Sequence, residues 1–249
     1  MSGHSKWATI KRKKEATDSK RSNMYAKLLR AVEVAARDGG GNIDGNMTLA
    51  SAVEKAKSFS VPNDNIERAI KRGTGEDADA ARYEELQYEG YAPGGVALLV
   101  QALTDNRNRT GQEIRHAFTR YHGNLGDQGS TAWMFARKGL VVVEKDLAPE
   151  EDRLLELALE AGAEDLRDSE SSWDITTSAS EFRSVSQALE RAGVPVSSAE
   201  ITMLPQTTVP VDGSEARQVL GLIEALEDLD DVQNVFANFD ISEELMASL

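Results

Sequence analysis

At 249 residues, with 40% hydrophobic and 28% charged residues, the chain has the make-up of an ordinary soluble globular protein with room for two or three domains. It has no cysteine, which excludes disulfides, thiol nucleophiles and Cys-based zinc sites, and no run near the roughly 18 apolar residues needed to span a bilayer. Its net charge is −14, yet the first 30 residues carry nine Lys or Arg against two acids.

A cationic tip on an acidic body points to a polyanionic partner, most often nucleic acid held by phosphate contacts. The imbalance continues along the chain: residues 1–75 sum to +7 and residues 76–249 to −21. The N-terminus has no apolar segment behind its bases, so it does not read as a secretory signal, and the expected location is the cytoplasm.

In the arm, Lys6, Lys11, Arg12, Lys13 and Lys14 cluster without a balancing acid, and Trp7 stands among them. Trp7 either stacks on a base or, with Ile10, anchors the arm to the helices. Next, Tyr25, Leu28, Leu29, Val32 and Ala36 recur at helical spacing, which predicts an amphipathic helix over about 18–38. Lys20, Lys27, Arg30 and Arg37 fall opposite that apolar face, with Arg21 beside them, giving a basic stripe about four turns long. Gly39-Gly40-Gly41 ends the helix. A second helix is expected over 47–59, burying Leu49, Val53, Ala56 and Phe59. After Val61-Pro62, Asn63-Asp64 is expected to cap a third, with Ile66, Ala69 and Ile70 inward and Lys71-Arg72 in its last turn before Gly73.

GHSKWATIKRKK at Gly3–Lys14, AARDGGG at Ala35–Gly41 and VPNDNIERAIKRGTGE at Val61–Glu76 together resemble the YebC/PmpR family. That family is known as transcriptional regulators, with relatives that act as translational activators in mitochondria. Gly45–Leu49 departs from the family pattern by lacking arginines there. The resemblance implies three domains and a nucleic-acid-binding role.

Residues 74–81 read as a linker. Tyr83–Gly90 and Gly95–Leu103 are strand-like, joined by the turn signal Tyr91-Ala92-Pro93-Gly94. In TDNRNRTGQEIRHAF, Thr110-Gly-Gln-Glu113 has the form of a capping box. The next helix is therefore expected to start there, leaving Arg107 and Arg109 in the loop ahead of it, where two guanidinium groups beside a helix N-terminus suit phosphate. The alternative is that Asp105 and Arg107 only tie the loop down. Residues 105–138 sum to +3, and TDNRNRT, GNLGDQGS and AWMFARKG also resemble the family.

From Gly139 the order is strand, helix, strand, strand, helix, strand through Leu204, that of a split βαβ ferredoxin-like unit. This stretch carries five bases and fifteen acids. A strand over 207–211, a helix over 214–226 and a strand over 232–239 then close the chain. Because a lone β-α-β piece would expose too much apolar surface, they are expected to complete the interrupted unit that begins at residue 83. The fold class is thus α+β: a basic helical domain (1–78), a discontinuous α/β domain (79–137 plus 205–249) and an acidic ferredoxin-like domain (138–204) inserted into it.

Enzyme signatures are thin. Glu113-x-x-His116 has metal-helix spacing but lacks the second copy such sites need, and His116 and His122 point about 120° apart on a helix. The glycine runs match neither the Walker nor the dinucleotide fingerprint, and there is no G-x-S-x-G elbow. No metal, cofactor or catalytic residue is expected. The expected function is non-enzymatic: a DNA-binding transcriptional regulator or, alternatively, a translation factor on ribosomal RNA. The acidic domains could dock a protein partner, and no membrane is involved.

Overall fold

The computed structural model describes residues 18–75, 83–169 and 171–241, with side chains from Ser22 onward. The helical region contains α1 (Asp18–Gly39), α2 (Met47–Ser58) and α3 (Asn63–Gly73). Leu28, Val32 and Ala36 of α1 meet Leu49, Val53 and Ala56 of α2 and Ile66 and Ala69 of α3 in one core, with Phe59 and Ile70 packed at its edge. At Gly73, an added Cβ would overlap the Glu33 carbonyl of α1, so α3 crosses α1 at backbone distance. Arg72 pairs there with Glu33 at 2.9 Å.

One cap went unforeseen in the sequence, and one expected cap is absent. Asn46 caps α2 by accepting from the Leu49 N–H (3.0 Å), while its amide donates to Ala35 O and Gly40 O at the end of α1. One side chain therefore closes two helix ends. In contrast, α3 begins directly after Pro62, and no Asn63-Asp64 side chain caps it.

The α/β part opens with β1 (Glu84–Tyr91) and β2 (Ala97–Thr104), an antiparallel hairpin turned through Gly94 and Gly95, both at positive φ. Then come α4 (Arg107–Arg120) and β3 (Asn124–Leu125), which pairs antiparallel with β1. The inserted part runs β4 (Phe135–Glu144), α5 (Glu151–Glu160), β5 (Ala163–Ser169), β6 (Ser172–Ser178), α6 (Phe182–Arg191) and β7 (Val196–Pro205). The chain closes with β8 (Val209–Pro210), α7 (Gly213–Glu227), β9 (Val232–Ala237) and β10 (Phe239–Asp240).

The inserted strands form an antiparallel sheet in the order β5-β6-β4-β7. Each helix connection skips one strand, which is the split βαβ expected from the sequence. Val141, Val143, Trp173 and Ile175 line the covered face with Leu154, Val185 and Leu189 of the two helices. The other four-stranded sheet has the order β3-β1-β2-β9, so β9 completes the hairpin across more than a hundred residues of intervening chain. β8 does not join it. Pro210 has no N–H to donate, and β8 instead pairs in parallel with β10. The architecture is α+β, a helical region followed by two α/β sheets with the second nested in the first.

Two compact units result among the described residues: one of residues 18–75, 83–131 and 212–235, the other of residues 132–211 and 236–241. No helix among the described residues is long and apolar enough to cross a membrane.

Candidate nucleic-acid interface

Of the residues that the sequence assigns to phosphate contact, Lys6, Trp7, Lys11, Arg12, Lys13 and Lys14 lie outside the described residues. Lys20 and Arg21 lie on the first turn of α1, where the backbone alone is described.

Lys27 and Arg30 are not on an open stripe. Lys27 is only 8% exposed and its ammonium donates to Glu227 O. Arg30 donates to Leu103 O (3.2 Å), Asp230 O (2.9 Å) and Asp231 Oδ1 (3.1 Å), and its guanidinium lies 5.1 Å from the centre of the Tyr83 ring. Asn23 reaches Asp228 O, and Arg37 reaches Tyr83 O. The described part of the expected stripe, Lys27, Arg30 and Arg37, thus faces the α/β part of the same unit. The reason lies in α7, which has no basic residue in its own last turn, so that Glu227 O and Asp228 O at its end accept from Lys27 and Asn23 of α1. The cations of α1 supply what that helix C-terminus lacks.

Arg109 is drawn in the same way. It donates to Asp231 Oδ2 at 2.7 Å and to Asp105 at 2.9 Å, and these bonds push its already high pKa further up. Asp231 itself is 2% exposed. Besides the two arginines it accepts from the Thr104 and Thr110 hydroxyls at 2.9 and 2.7 Å. Burial alone would raise its pKa, but the bonds from Arg109, Thr110 and Thr104 outweigh that and hold the carboxyl below its ordinary value.

The capping box expected at Thr110–Glu113 is not formed. α4 starts three residues earlier, with Asn106 as the cap accepting from the Arg109 N–H at 3.2 Å. Thr110 turns inward to Thr104 and Asp231 instead. Arg107 and Arg109 therefore sit on the first turn of the helix and not in a loop. Arg107 is exposed and has no hydrogen bond or ion pair among the described residues. On the same helix Asn108, Gln112, Arg115, His116, Thr119 and Arg120 are exposed, while Thr110, Ile114, Ala117 and Phe118 are buried.

Glu89 is a second residue that sequence reading missed. It is 2% exposed on β1 and accepts from the Gly129 N–H (2.8 Å) and the Thr131 N–H (2.7 Å). With Gly126 N–H on Glu89 O, it holds the GNLGDQGS segment in place. Neither Glu89 nor Asp231 carries a sequence signal beyond being one acid among 42. Among the described residues, no cluster of three His, Asp or Glu could hold a metal ion. His122, at φ 61°, lies beyond the end of α4, on which His116 sits.

Known proteins resemble the chain over its whole length. Residues 5–76 match the TACO1/YebC protein N-terminal domain, and residues 83–239 match the TACO1/YebC second and third domain. A "Probable transcriptional regulatory protein" of Rubrobacter xylanophilus is 57% identical over 100% of this chain and 99% of its own length. One of the same name from Geobacter sulfurreducens is 54% identical over the full length of both. The crystal structure of a conserved hypothetical protein from Aquifex aeolicus superposes with a TM-score of 0.79 at 47% identity, covering 92% of this chain and 94% of that one. By both its parts and its full-length relatives, this chain belongs to the TACO1/YebC family.

Proposed function

We propose that the protein is a non-enzymatic regulator of gene expression in the cytoplasm, acting by binding nucleic acid through its basic N-terminal segment. The observation that carries this is the charge asymmetry: nine bases against two acids in the first 30 residues of a chain whose net charge is −14. Lys27 and Arg30 are committed inside the fold. The contact therefore falls to Lys6, Trp7, Lys11, Arg12, Lys13, Lys14, Lys20 and Arg21, with Arg107 as a separate point. Such contacts position a protein on a phosphate backbone without reading sequence. The names of the curated relatives favour DNA and transcription.

A second reading, a translation factor on ribosomal RNA, is favoured by a basic arm carried on acidic domains, a build suited to reaching structured RNA beside proteins. It also fits the family's translational activators. Crosslinking in cells, followed by sequencing of the recovered DNA and RNA, separates the two. Promoter DNA supports the transcriptional role, and ribosomal RNA that survives DNase supports the translational one. Recovery of neither overturns both.

A further inference from the structure

We propose that the face of the inserted sheet turned away from α5 and α6 is the intramolecular docking surface of the N-terminal arm, residues 1–17. Side chains alternate across a strand. With Val141, Val143, Trp173 and Ile175 under the helices, Leu140, Val142, Ser172, Asp174 and Thr176 belong to the opposite face. The register sets Ser169 of β5 beside Ser172 and Glu200 of β7 beside Leu140 on that face. Neither helix packs there, yet Leu140, Val142 and Asp174 are each only 6% exposed and Ser169 only 2%. That is the burial of a covered surface. The Ser169 hydroxyl has no hydrogen-bond partner among the described residues. The Asp174 carboxylate accepts from Ser172 at 3.3 Å but meets no cation among the described residues. A buried carboxylate without a cation calls for a positive cover.

Charge selects the segment. The two cations on this face are already taken: Arg167 pairs with Asp165 at 2.7 Å and Lys138 with Glu164 at 2.6 Å. Glu144, Asp174 and Glu200 form no ion pair among the described residues. Residues 1–17 carry five bases against one acid, and their Trp7 and Ile10 supply apolar surface for Leu140 and Val142. Residues 242–249 carry two Glu and no base, which is the wrong sign. Seventeen extended residues reach roughly 55–60 Å, about twice the diameter of a small domain. Because the same bases carry the proposed function, this face and nucleic acid compete for one arm. That consequence rests on the nucleic-acid reading; the docking itself does not.

The chain has no cysteine, so introduced pairs report contact without background. In full-length protein with oxidised glutathione, Ala8→Cys with Thr176→Cys should form an intrachain disulfide, which needs Cα atoms within about 7 Å. Ala8→Cys with Ser184→Cys, on α6 at the other side of the sheet, should not. Adding Glu144→Gln and Glu200→Gln should slow the A8C/T176C crosslink roughly 2- to 30-fold. If the Thr176→Cys protein melts low, Ser198→Cys, beside Val142 on the same face, takes its place. A crosslink as fast at Ser184 as at Thr176, a crosslink between two chains, or a rate unchanged by the Gln substitutions overturns the proposal. So does a crosslink to Thr176→Cys from Ala247→Cys and not from Ala8→Cys, which makes the C-terminal segment the cover. Random-sequence duplex DNA that binds the protein should suppress the A8C/T176C crosslink, and binding with the crosslink undiminished overturns the competition. Protein that crosslinks as expected but binds neither duplex DNA nor structured RNA overturns the proposed function and leaves the docking standing.

Discussion

Replacing Asp231 with Ala removes the group on which α1, β2 and α4 converge. Arg30, with a side chain 19% exposed, loses a mostly desolvated charge-assisted bond worth about 1.5–3 kcal/mol. Arg109 is 45% exposed and regains water, so its loss adds little. The Thr104 and Thr110 hydroxyls lose an acceptor but keep each other at 2.8 Å, which limits their share to about 0.5 kcal/mol each. The total is roughly 3 kcal/mol, a fall in Tm of about 6–12 °C for a chain of this size. Because the folded pKa of Asp231 is depressed, its stabilisation is present above the unfolded value of about 3.9 and is lost as pH falls through the folded pKa. Urea titrations of wild type and D231A at pH 7 and at pH 2–3 should show a gap that closes in acid. A loss under about 1 kcal/mol at pH 7, or a gap that persists undiminished at pH 2, would refute the assignment of Asp231 as the charged junction.

Three further outcomes rest on particular residues. Glu89→Gln should speed amide exchange at Gly129 and Thr131 by tenfold or more, because a neutral acceptor makes weaker bonds than a carboxylate; unchanged protection would mean the loop is held otherwise. Gly73→Ala should cost about 1–3 kcal/mol by forcing α3 off the Glu33 carbonyl, which a thermal melt reads directly. Burial raises the pKa of Asp174, with partial relief from the Ser172 hydroxyl, which donates to its carboxylate at 3.3 Å. Its protonated form is therefore the better-tolerated one, and that contribution is lost as pH rises through its folded pKa. Asp174→Asn should then leave the Tm at pH 7 unchanged or higher, and a clear drop would contradict this.

Local signals carried far in this chain. The apolar spacing of Leu28, Val32 and Ala36 placed α1, and the βαββαβ order of residues 139–204 foretold its sheet order. What stayed hidden was long-range or degenerate. Lys27 and Arg30 look like a solvated stripe because their partners, Glu227, Asp230 and Asp231, lie about two hundred residues away. In TDNRNRT several residues can cap, and Asn106 won because Thr110 is drawn inward to Asp231, a contact that no window around Thr110 contains. β8 read as a sheet strand by composition, but Pro210 limits its pairing. The positions along α4 could be counted from sequence. Which face stayed open depended on the sheet and on α7.

The most direct test of nucleic-acid binding through the N-terminal segment is a salt titration of affinity for wild type and for K11A/R12A/K13A/K14A. The quadruple variant should bind every sequence more weakly by a similar factor. Its slope of log K against log salt should be shallower by up to roughly 0.7–0.9 for each phosphate no longer neutralised. An unchanged slope would contradict the account.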